Sequence, residues 1–261
     1  MSDSNIEITG RKVFFLHPSA FVQNTIIEPL VQQEFEIYMV KDETKIPKIL
    51  KKYPDSVVFA CIDEVLTPKQ WEEWVIQHRA TPSASEMELG VLSNTNNDDV
   101  RKLYVETLKV PCGFIPIKPD TKAIKALIEV LNTLKAKGRR KYVRADTQHE
   151  AMTTINLPVG DSFVTGEIRD ISVVGLSCTF SKELDVNKNA IFHDIQLKLQ
   201  SALIKVEGIL FGSRTEEGEV PQIIYVFLFS PKTDAAIKAK IRTFIQKRIQ
   251  ALMDIEIQTI S

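Results

Sequence analysis

Apolar residues follow two alternating patterns in the first half of the chain. Short uninterrupted apolar runs are typical of strands buried on both faces of a sheet, whereas apolar positions three and four residues apart are typical of amphipathic helices. Five strands alternating with five helices predict a flavodoxin-like parallel sheet with helices on both faces. The predicted strands lie at residues 12–17, 35–40, 56–62, 87–92 and 113–117, with the continuous apolar run at 56–62 and an alternating pattern at 35–40, and the helical segments lie at residues 20–33, 46–53, 68–80 and 98–108 and from residue 120 or 121 onwards.

The first helix carries two local signals. Ser19 precedes it and is expected to cap the first turn, because its hydroxyl can accept a hydrogen bond from a free backbone N–H group. Pro29 lies inside the apolar stripe and is expected to kink or shift the helix, because proline removes a backbone donor.

The second half of the chain alternates apolar and polar residues in short segments separated by turn signals. This pattern predicts a small, closed antiparallel β-barrel, so the whole chain combines an α/β part with an all-β part. A long amphipathic helix at residues 233–253 is expected to pack on the barrel or to pair with a second copy. The predicted strands lie at residues 151–157, 162–168, 171–180, 192–199, 203–211 and 222–229.

Length and composition allow two domains of ordinary size. The 261 residues carry a net charge of -1, which argues against a general binder of DNA or RNA. The expected organisation is an α/β domain at residues 1–136, a basic linker at 137–146 and a barrel with its helix at 147–261.

Three widely spaced cysteines form neither a zinc-binding spacing nor a disulfide framework, so we expect a reducing compartment. The amino-terminal residues are polar, and no apolar run is long enough to span a bilayer. A cytoplasmic location without a membrane span is therefore expected.

The candidate chemistry is concentrated in two short motifs. Arg140 and Arg144 lie four residues apart in a run of six cations and no acid, and a guanidinium group can bind phosphate bidentately or stack on a ring. Asp170, Ser172 and Gly175 follow in a strand-like segment. A carboxylate can accept hydrogen bonds from a guanine edge, and a glycine permits close backbone approach. Together they predict a site for a ligand that carries phosphates and a purine.

These motifs, RxxxR followed by DxSxxG, resemble those of the PilZ domain, a family that binds the bacterial second messenger bis-(3′-5′)-cyclic dimeric GMP (c-di-GMP). The resemblance covers about residues 138–250. It implies that Arg140 and Arg144 contact the phosphates and stack on guanine, that Asp170 and Ser172 bind guanine, and that Gly175 lets the ligand approach the backbone. Arg139 and Lys141 are candidates for assisting contacts.

The first half is similar to a response-regulator receiver domain. Asp63 stands where the phosphoacceptor would be, Ser93 near the usual serine or threonine, and Lys118-Pro119 after the fifth strand. Receivers hold Mg²⁺ with two acids after the first strand, but this chain has His17-Pro18 there, and Mg²⁺ prefers carboxylate and water oxygens. The resemblance therefore implies a degenerate receiver without a metal site, and Asp63 is only a minor phosphoacceptor candidate.

The function expected from the sequence is that of a non-enzymatic c-di-GMP receptor in signal transduction. Ligand binding at the linker and barrel would change the arrangement of the domains and the contact with a protein partner. No nucleophile–base pair or phosphate-binding glycine loop is found in the sequence, and no cofactor is expected. Two alternatives stay open: a phosphorylation-dependent regulator acting through Asp63, and a scaffold that binds partners without nucleotide.

Overall fold

The computed structural model describes residues 10–80, 87–118, 122–148, 150, 152–217 and 221–259, except for the side chains of residues 79 and 80. The chain forms two compact units. Unit 1 comprises Met1–Lys141 together with Gln250–Ser261, and unit 2 comprises Tyr142–Ile249.

Unit 1 contains a five-stranded sheet in which every neighbouring pair is parallel. The strand order is β2-β1-β3-β4-β5, which is the flavodoxin-like order and confirms the predicted fold. The central strands β1 and β3 are buried along their whole length, as their uninterrupted apolar runs predicted. The strands are β1 (Val13–Leu16), β2 (Ile37–Val40), β3 (Val57–Cys61), β4 (Glu88–Ser93) and β5 (Phe114–Pro116).

Helices connect these strands. They are α1 (residues 20–32), α2 (Ile46–Lys52), α3 (Pro68–Ala80), α4 (residues 98–107) and α5 (Lys122–Thr133). Ser19 caps α1 as predicted, since its Oγ accepts a hydrogen bond from the Val22 N–H. A π-helical turn, Gln23–Ile27, directly precedes the turn that contains Pro29, so the helix widens where the proline disturbs the backbone bonding. Asp120 and Thr121, the candidate caps of α5, lie outside the described residues.

Unit 2 is a closed antiparallel barrel. Six strands follow one another in the order β8-β7-β10-β11-β12-β9, and β9 pairs with β8 to close the ring. The short strand β6 pairs with residues 170–171 of β8, past the segment of β8 that pairs with β7. This closed architecture confirms the predicted barrel. The strands are β6 (Ala145–Asp146), β7 (Thr153–Val159), β8 (Ser162–Ser172), β9 (Gly175–Phe180), β10 (Ile191–Leu199), β11 (Ala202–Glu216) and β12 (Gln222–Phe229).

One predicted turn in unit 2 is wrong. The sequence predicted a break between a strand ending at Ile168 and another beginning at Ile171, whereas β8 runs through to Ser172 and the chain turns at Val173-Val174. Antiparallel pairing of β8 with β9 continues up to this turn, with Ser172 opposite Gly175. The DxSxxG motif therefore forms the end of one strand, a two-residue turn and the start of the next strand.

The terminal helix α6 (Ala235–Thr259) is six residues longer at its carboxyl end than the predicted helix. Residues 235–249 belong to unit 2 and residues 250–259 to unit 1. In unit 2, Arg248 forms an ion pair with Glu150, with 2.7 Å between Nη1 and Oε2.

In unit 1, the last turns of α6 contact the edge strand β2 at Met39. The Gln250 side chain donates to the Met39 carbonyl at 2.9 Å and accepts from the Met39 N–H at 2.8 Å, as the backbone of a neighbouring strand would. The Tyr53 hydroxyl donates to Glu256 Oε1 at 2.6 Å, and Lys52 forms an ion pair with the same carboxylate.

Among the described residues, no helix is both long enough and apolar enough to cross a lipid bilayer.

Candidate functional site

The hairpin between β8 and β9 presents the DxSxxG motif. The Ser172 hydroxyl donates to the Gly175 carbonyl at 3.1 Å and accepts from the Val174 N–H at 3.4 Å. Ser172 is only 3% exposed. Its hydroxyl therefore stabilises the turn that places the rest of the motif at the end of the strand pair.

Asp170 and Arg144, two of the predicted ligand contacts, lie close together. Arg144 Nη1 is 3.5 Å from Asp170 Oδ1, and the two side chains are 55% and 34% exposed. This contact is held by strand pairing, because Ala145 and Asp146 of β6 lie opposite Ile171 and Asp170 of β8. A guanidinium group and a carboxylate thus share one partly exposed position of unit 2.

Ser177 is a site residue that the sequence analysis missed. It lies opposite Asp170 in the β8–β9 pairing, is 6% exposed and donates a hydrogen bond from its hydroxyl to Asp170 Oδ2. The bond orients the carboxylate and leaves its other oxygen to Arg144. Predicting the turn at Val173-Val174 would have revealed this partner, because a hairpin with that turn pairs residue 170 with residue 177.

Gly175 is required first by the packing of the barrel. A Cβ atom at this position would lie against the Phe227 carbonyl and 3.2 Å from the Leu228 Cα atom, both in β12. The close approach that the glycine permits is therefore between β9 and β12. Its predicted contact with a ligand stays a prediction.

The remaining basic residues precede β6. Arg139, Arg140 and Lys141 are exposed and lie at the end of the first segment of unit 1, whereas Arg144 belongs to unit 2. Gly138 has a positive φ of 59°, in the left-handed region that glycine adopts without strain, and marks the turn before this segment. The roles of Arg139, Arg140 and Lys141 as ligand contacts stay predictions.

At the carboxyl ends of the unit 1 strands, Asp63 is held by hydrogen bonds. Its Oδ1 accepts from the Ser93 hydroxyl at 2.5 Å and its Oδ2 accepts from the Asn94 N–H at 2.8 Å. Both oxygens of the phosphoacceptor candidate therefore support the loop after β4. Lys118 lies exposed just beyond β5.

His17 occupies the position after β1 where a receiver has acidic residues. Its Nε2 lies 2.8 Å from Glu43 Oε2, and its ring packs edge-on against Trp71 at 5.9 Å. Within the described parts of the chain, no three His, Cys, Asp or Glu side chains form a group that could hold a metal ion.

A small closed barrel, a DxSxxG hairpin and a preceding RxxxR segment define the class of the C-terminal part. Residues 138–247 match the family model of the PilZ domain, so this part of the chain is a PilZ domain. A comparison with curated proteins found no match.

Three solved structures illustrate the structural similarity. The PilZ domain of Escherichia coli YcgR, solved with c-di-GMP, is 13% identical, and the match covers 45% of this chain and 97% of that chain with a TM-score of 0.41. The c-di-GMP complex of K. pneumonia MrkH is 16% identical, with 46% and 53% covered and a TM-score of 0.35, so this chain matches about half of MrkH. The chemotaxis response regulator CheY4 of Vibrio cholerae is 16% identical, with 48% and 99% covered and a TM-score of 0.38.

Proposed function

We propose that this protein is a non-enzymatic c-di-GMP receptor. The observation that carries the proposal is the juxtaposition of Arg144 and Asp170 on the β6–β8 pair of a PilZ domain. Arg144 supplies a charged fork for a phosphate, and Asp170 supplies an acceptor for the N–H groups of a guanine edge. Ser177 keeps the carboxylate in place before the ligand arrives.

Arg140 completes the RxxxR motif and is proposed as the second phosphate-binding and guanine-stacking residue. Arg139 and Lys141 add positive charge beside it. A charge-assisted hydrogen bond contributes about 1.5–3 kcal/mol net and a stacked cation about 0.5–2 kcal/mol. Several such contacts reach the roughly 8 kcal/mol of micromolar binding, after the cost of ordering the basic segment.

In the proposed mechanism, ligand binding changes the arrangement of the two units and thereby a contact with a protein partner. The protein would exist in two arrangements of its units. The ligand can shift the equilibrium between them only if it binds one arrangement more tightly than the other. The proposed carriers of that difference are the basic residues at positions 139–144, because the boundary between the two units falls within this segment.

Calorimetric titration of the purified full chain with c-di-GMP tests the proposal. We expect low-micromolar or tighter binding, weakened at least about tenfold by Arg140→Ala and by Asp170→Ala, because each variant removes a charged contact with the ligand. Arg101→Ala, an exposed arginine on α4, is the matched control and should bind as the wild type does. GMP and cyclic AMP should produce no binding heat.

Absence of binding to the wild type at about 100 μM nucleotide would contradict the receptor proposal, since that concentration is far above a micromolar dissociation constant. Equal affinities of wild type and Asp170→Ala would contradict the assignment of the site.

A further inference from the structure

The strand that brings Arg144 to the candidate site is very short. β6 consists of Ala145 and Asp146 alone, which lie opposite Ile171 and Asp170 of β8. Most strands are roughly 3–10 residues long, and each of their hydrogen bonds contributes little net stability. β6 therefore needs further contacts if Arg144, the residue directly before it, is to stay beside Asp170.

Contacts with β8 continue for one residue beyond β6. The Thr147 N–H donates to the Arg169 carbonyl at 2.8 Å, and the Thr147 hydroxyl donates to the Ile168 carbonyl at 2.6 Å. Thr147 is buried, so both bonds are shielded from water. The carbonyl and the N–H of one trans peptide group point in opposite directions, so the Asp146 carbonyl faces away from β8.

Arg248 of α6 binds this outward-facing carbonyl. Its Nε–H donates to the Asp146 carbonyl at 2.9 Å, and its Nη1 lies 2.7 Å from Glu150 Oε2. A guanidinium group presents its donors in one plane, so a single side chain binds both the end of β6 and the loop that follows it. The end of β6 is thus held from two sides, by β8 on one and by Arg248 on the other.

Burial restricts the movement of Arg248. The side chains of Arg248 and Glu150 are 14% and 22% exposed, and solvent screens such a partly buried ion pair less than a fully exposed one. Ile245 and Ile249, on either side of Arg248 in α6, are buried. The helix therefore presents the guanidinium group from a part of its backbone that is itself held in place.

An ion pair of this kind could serve stability alone. Pairs at the surface contribute little free energy, and a pair that only stabilises could lie anywhere along the loop. The bond to the Asp146 carbonyl distinguishes Arg248, because Asp146 lies opposite Asp170 and two residues after Arg144. Arg248 thus acts on the segment that sets the distance between two proposed ligand contacts.

We propose that Arg248 is a positioning residue of the ligand site, which holds β6 against β8 and thereby keeps Arg144 beside Asp170. The inference rests on the proposed function, in which Arg144 and Asp170 contact c-di-GMP and Arg248 does not. Without Arg248 the end of β6 separates from β8 more often, and part of the binding free energy is then spent on ordering Arg144.

Amide hydrogen exchange, measured by NMR on the full chain without ligand, tests the contact with β6. In Arg248→Gln we expect the Thr147 amide to exchange at least about tenfold faster than in the wild type, because its bond to Arg169 opens more often. The amide of Leu197, which pairs with strands on both sides, should keep its rate. Lys247→Gln changes the exposed neighbouring position of α6, so this matched control should alter neither rate.

Calorimetric titration with c-di-GMP tests the link to the ligand. Arg248→Gln should weaken binding about threefold to tenfold in the wild-type background but less than about twofold in the Arg144→Ala background, because Arg248 acts through Arg144. Arg248→Lys keeps the charge but lacks the planar fork that binds two acceptors, so its affinity should fall between those of the wild type and Arg248→Gln. Lys247→Gln should bind as the wild type does.

An unchanged exchange rate of Thr147 in Arg248→Gln would overturn the inference. Equal weakening of c-di-GMP binding in the wild-type and Arg144→Ala backgrounds would also overturn it, because the loss of affinity would then reflect a general loss of structure. If Arg248→Gln does not fold, Glu150→Gln removes only the ion pair and should still raise the exchange rate of Thr147, and an unchanged rate there has the same meaning.

Failure of the proposed function is distinguishable from failure of this inference. A wild type that binds no c-di-GMP would contradict the proposed function, and the exchange of Thr147 would still decide whether Arg248 holds β6. Normal binding by the wild type together with unchanged exchange in Arg248→Gln would contradict the inference alone.

Discussion

Ser172 and Gly175 are both required by the hairpin that carries the candidate site. Ser172 bonds to the backbone of the turn, and Gly175 allows β9 to lie close to β12. The resemblance to the PilZ domain indicated these residues only as contacts with the ligand. Their contacts within the protein show that the motif also specifies the turn and the strand packing on which the position of Asp170 depends.

Gly175→Ala should therefore destabilise the protein even without ligand. The added methyl group would overlap the backbone of Phe227 and Leu228, and overpacking of this kind costs about 1–3 kcal/mol. Urea unfolding followed by circular dichroism would measure the change in the free energy of unfolding. Gly212→Ala is the control, since a Cβ atom there has no neighbour within 4 Å, and its effect should stay below about 0.5 kcal/mol.

Ser177→Ala should weaken c-di-GMP binding about threefold to tenfold. The substitution removes the hydroxyl that orients Asp170, so part of the binding free energy is spent on ordering the carboxylate. Calorimetry on this variant should be compared with Ser213→Ala, an exposed serine on β11. An affinity equal to that of the wild type would show that Arg144 alone is sufficient to position the carboxylate.

At the scale of helices and strands, hydrophobic spacing located the elements more reliably than it located their turns. Residues 68–80 were predicted as a helix with the observed bounds of α3, and the buried run at 56–62 contains β3. The turn at Val173-Val174 was missed because β-branched residues are typical of strands and Asp170 offered a more usual turn residue. Hydrogen bonds of the Ser172 hydroxyl stabilise this unfavourable turn sequence. The spacing of apolar residues gives no information about such bonds.

The contact of α6 with α2 should depend on pH through Glu256. Burial alone would raise the pKa of Glu256, but hydrogen bonds from Lys52 and Tyr53 lower it below its usual value. A carboxyl whose pKa is lowered on folding stabilises the folded state above its unfolded pKa of about 4.3, and this stabilisation is lost as the pH falls through the folded value. Glu256→Gln should therefore lower the free energy of unfolding by about 0.5–1.5 kcal/mol at pH 7, and this difference should shrink below about pH 4.

Urea unfolding of the wild type and Glu256→Gln at several pH values would measure this dependence. Glu129→Gln, an exposed glutamate on α5, is the control and should show no such trend. A difference that stays constant between pH 7 and pH 3 would contradict an ionic contribution from Glu256.

At the scale of the whole molecule, the two architectures could be predicted because apolar residues are spaced differently in the two halves of the sequence. Apolar strands alternate with helical stripes in the first half, whereas apolar and polar residues alternate in the second. It could not predict that unit 1 is discontinuous, since the amphipathic pattern of α6 continues without a signal from one unit into the other. The pair of hydrogen bonds between Gln250 and Met39 joins residues 211 positions apart, and a single polar side chain gives no indication of such a partner.

The three cysteines should report separately on the unfolding of the two units. Cys61 and Cys112 lie in unit 1, and burial raises the pKa of each thiol to about 12. Cys178 lies in unit 2, where burial again raises the pKa of its thiol. Since the thiolate is the reactive form, all three should react with a thiol reagent far more slowly than an exposed cysteine does.

Mass spectrometry of pulse-labelled protein would measure these rates along a urea gradient. Rapid labelling of Cys178 without urea would contradict the buried position of β9. If c-di-GMP binds unit 2, it should shift the labelling midpoint of Cys178 to higher urea, because a ligand that binds only the folded state stabilises it.

The discontinuity of unit 1 has a consequence for biosynthesis. The ribosome makes β2 early, but Gln250 of α6, which bonds to the strand edge at Met39, follows only after the 108 residues of Tyr142–Ile249 have been made. At about 5–20 residues per second, this delay lasts roughly 5–20 s. During that time the Met39 backbone at this strand edge lacks its partner on the nascent chain, and unpaired strand edges are templates for aggregation. We therefore expect chains released before Gln250 to be more prone to aggregate, and more dependent on chaperones, than the complete protein.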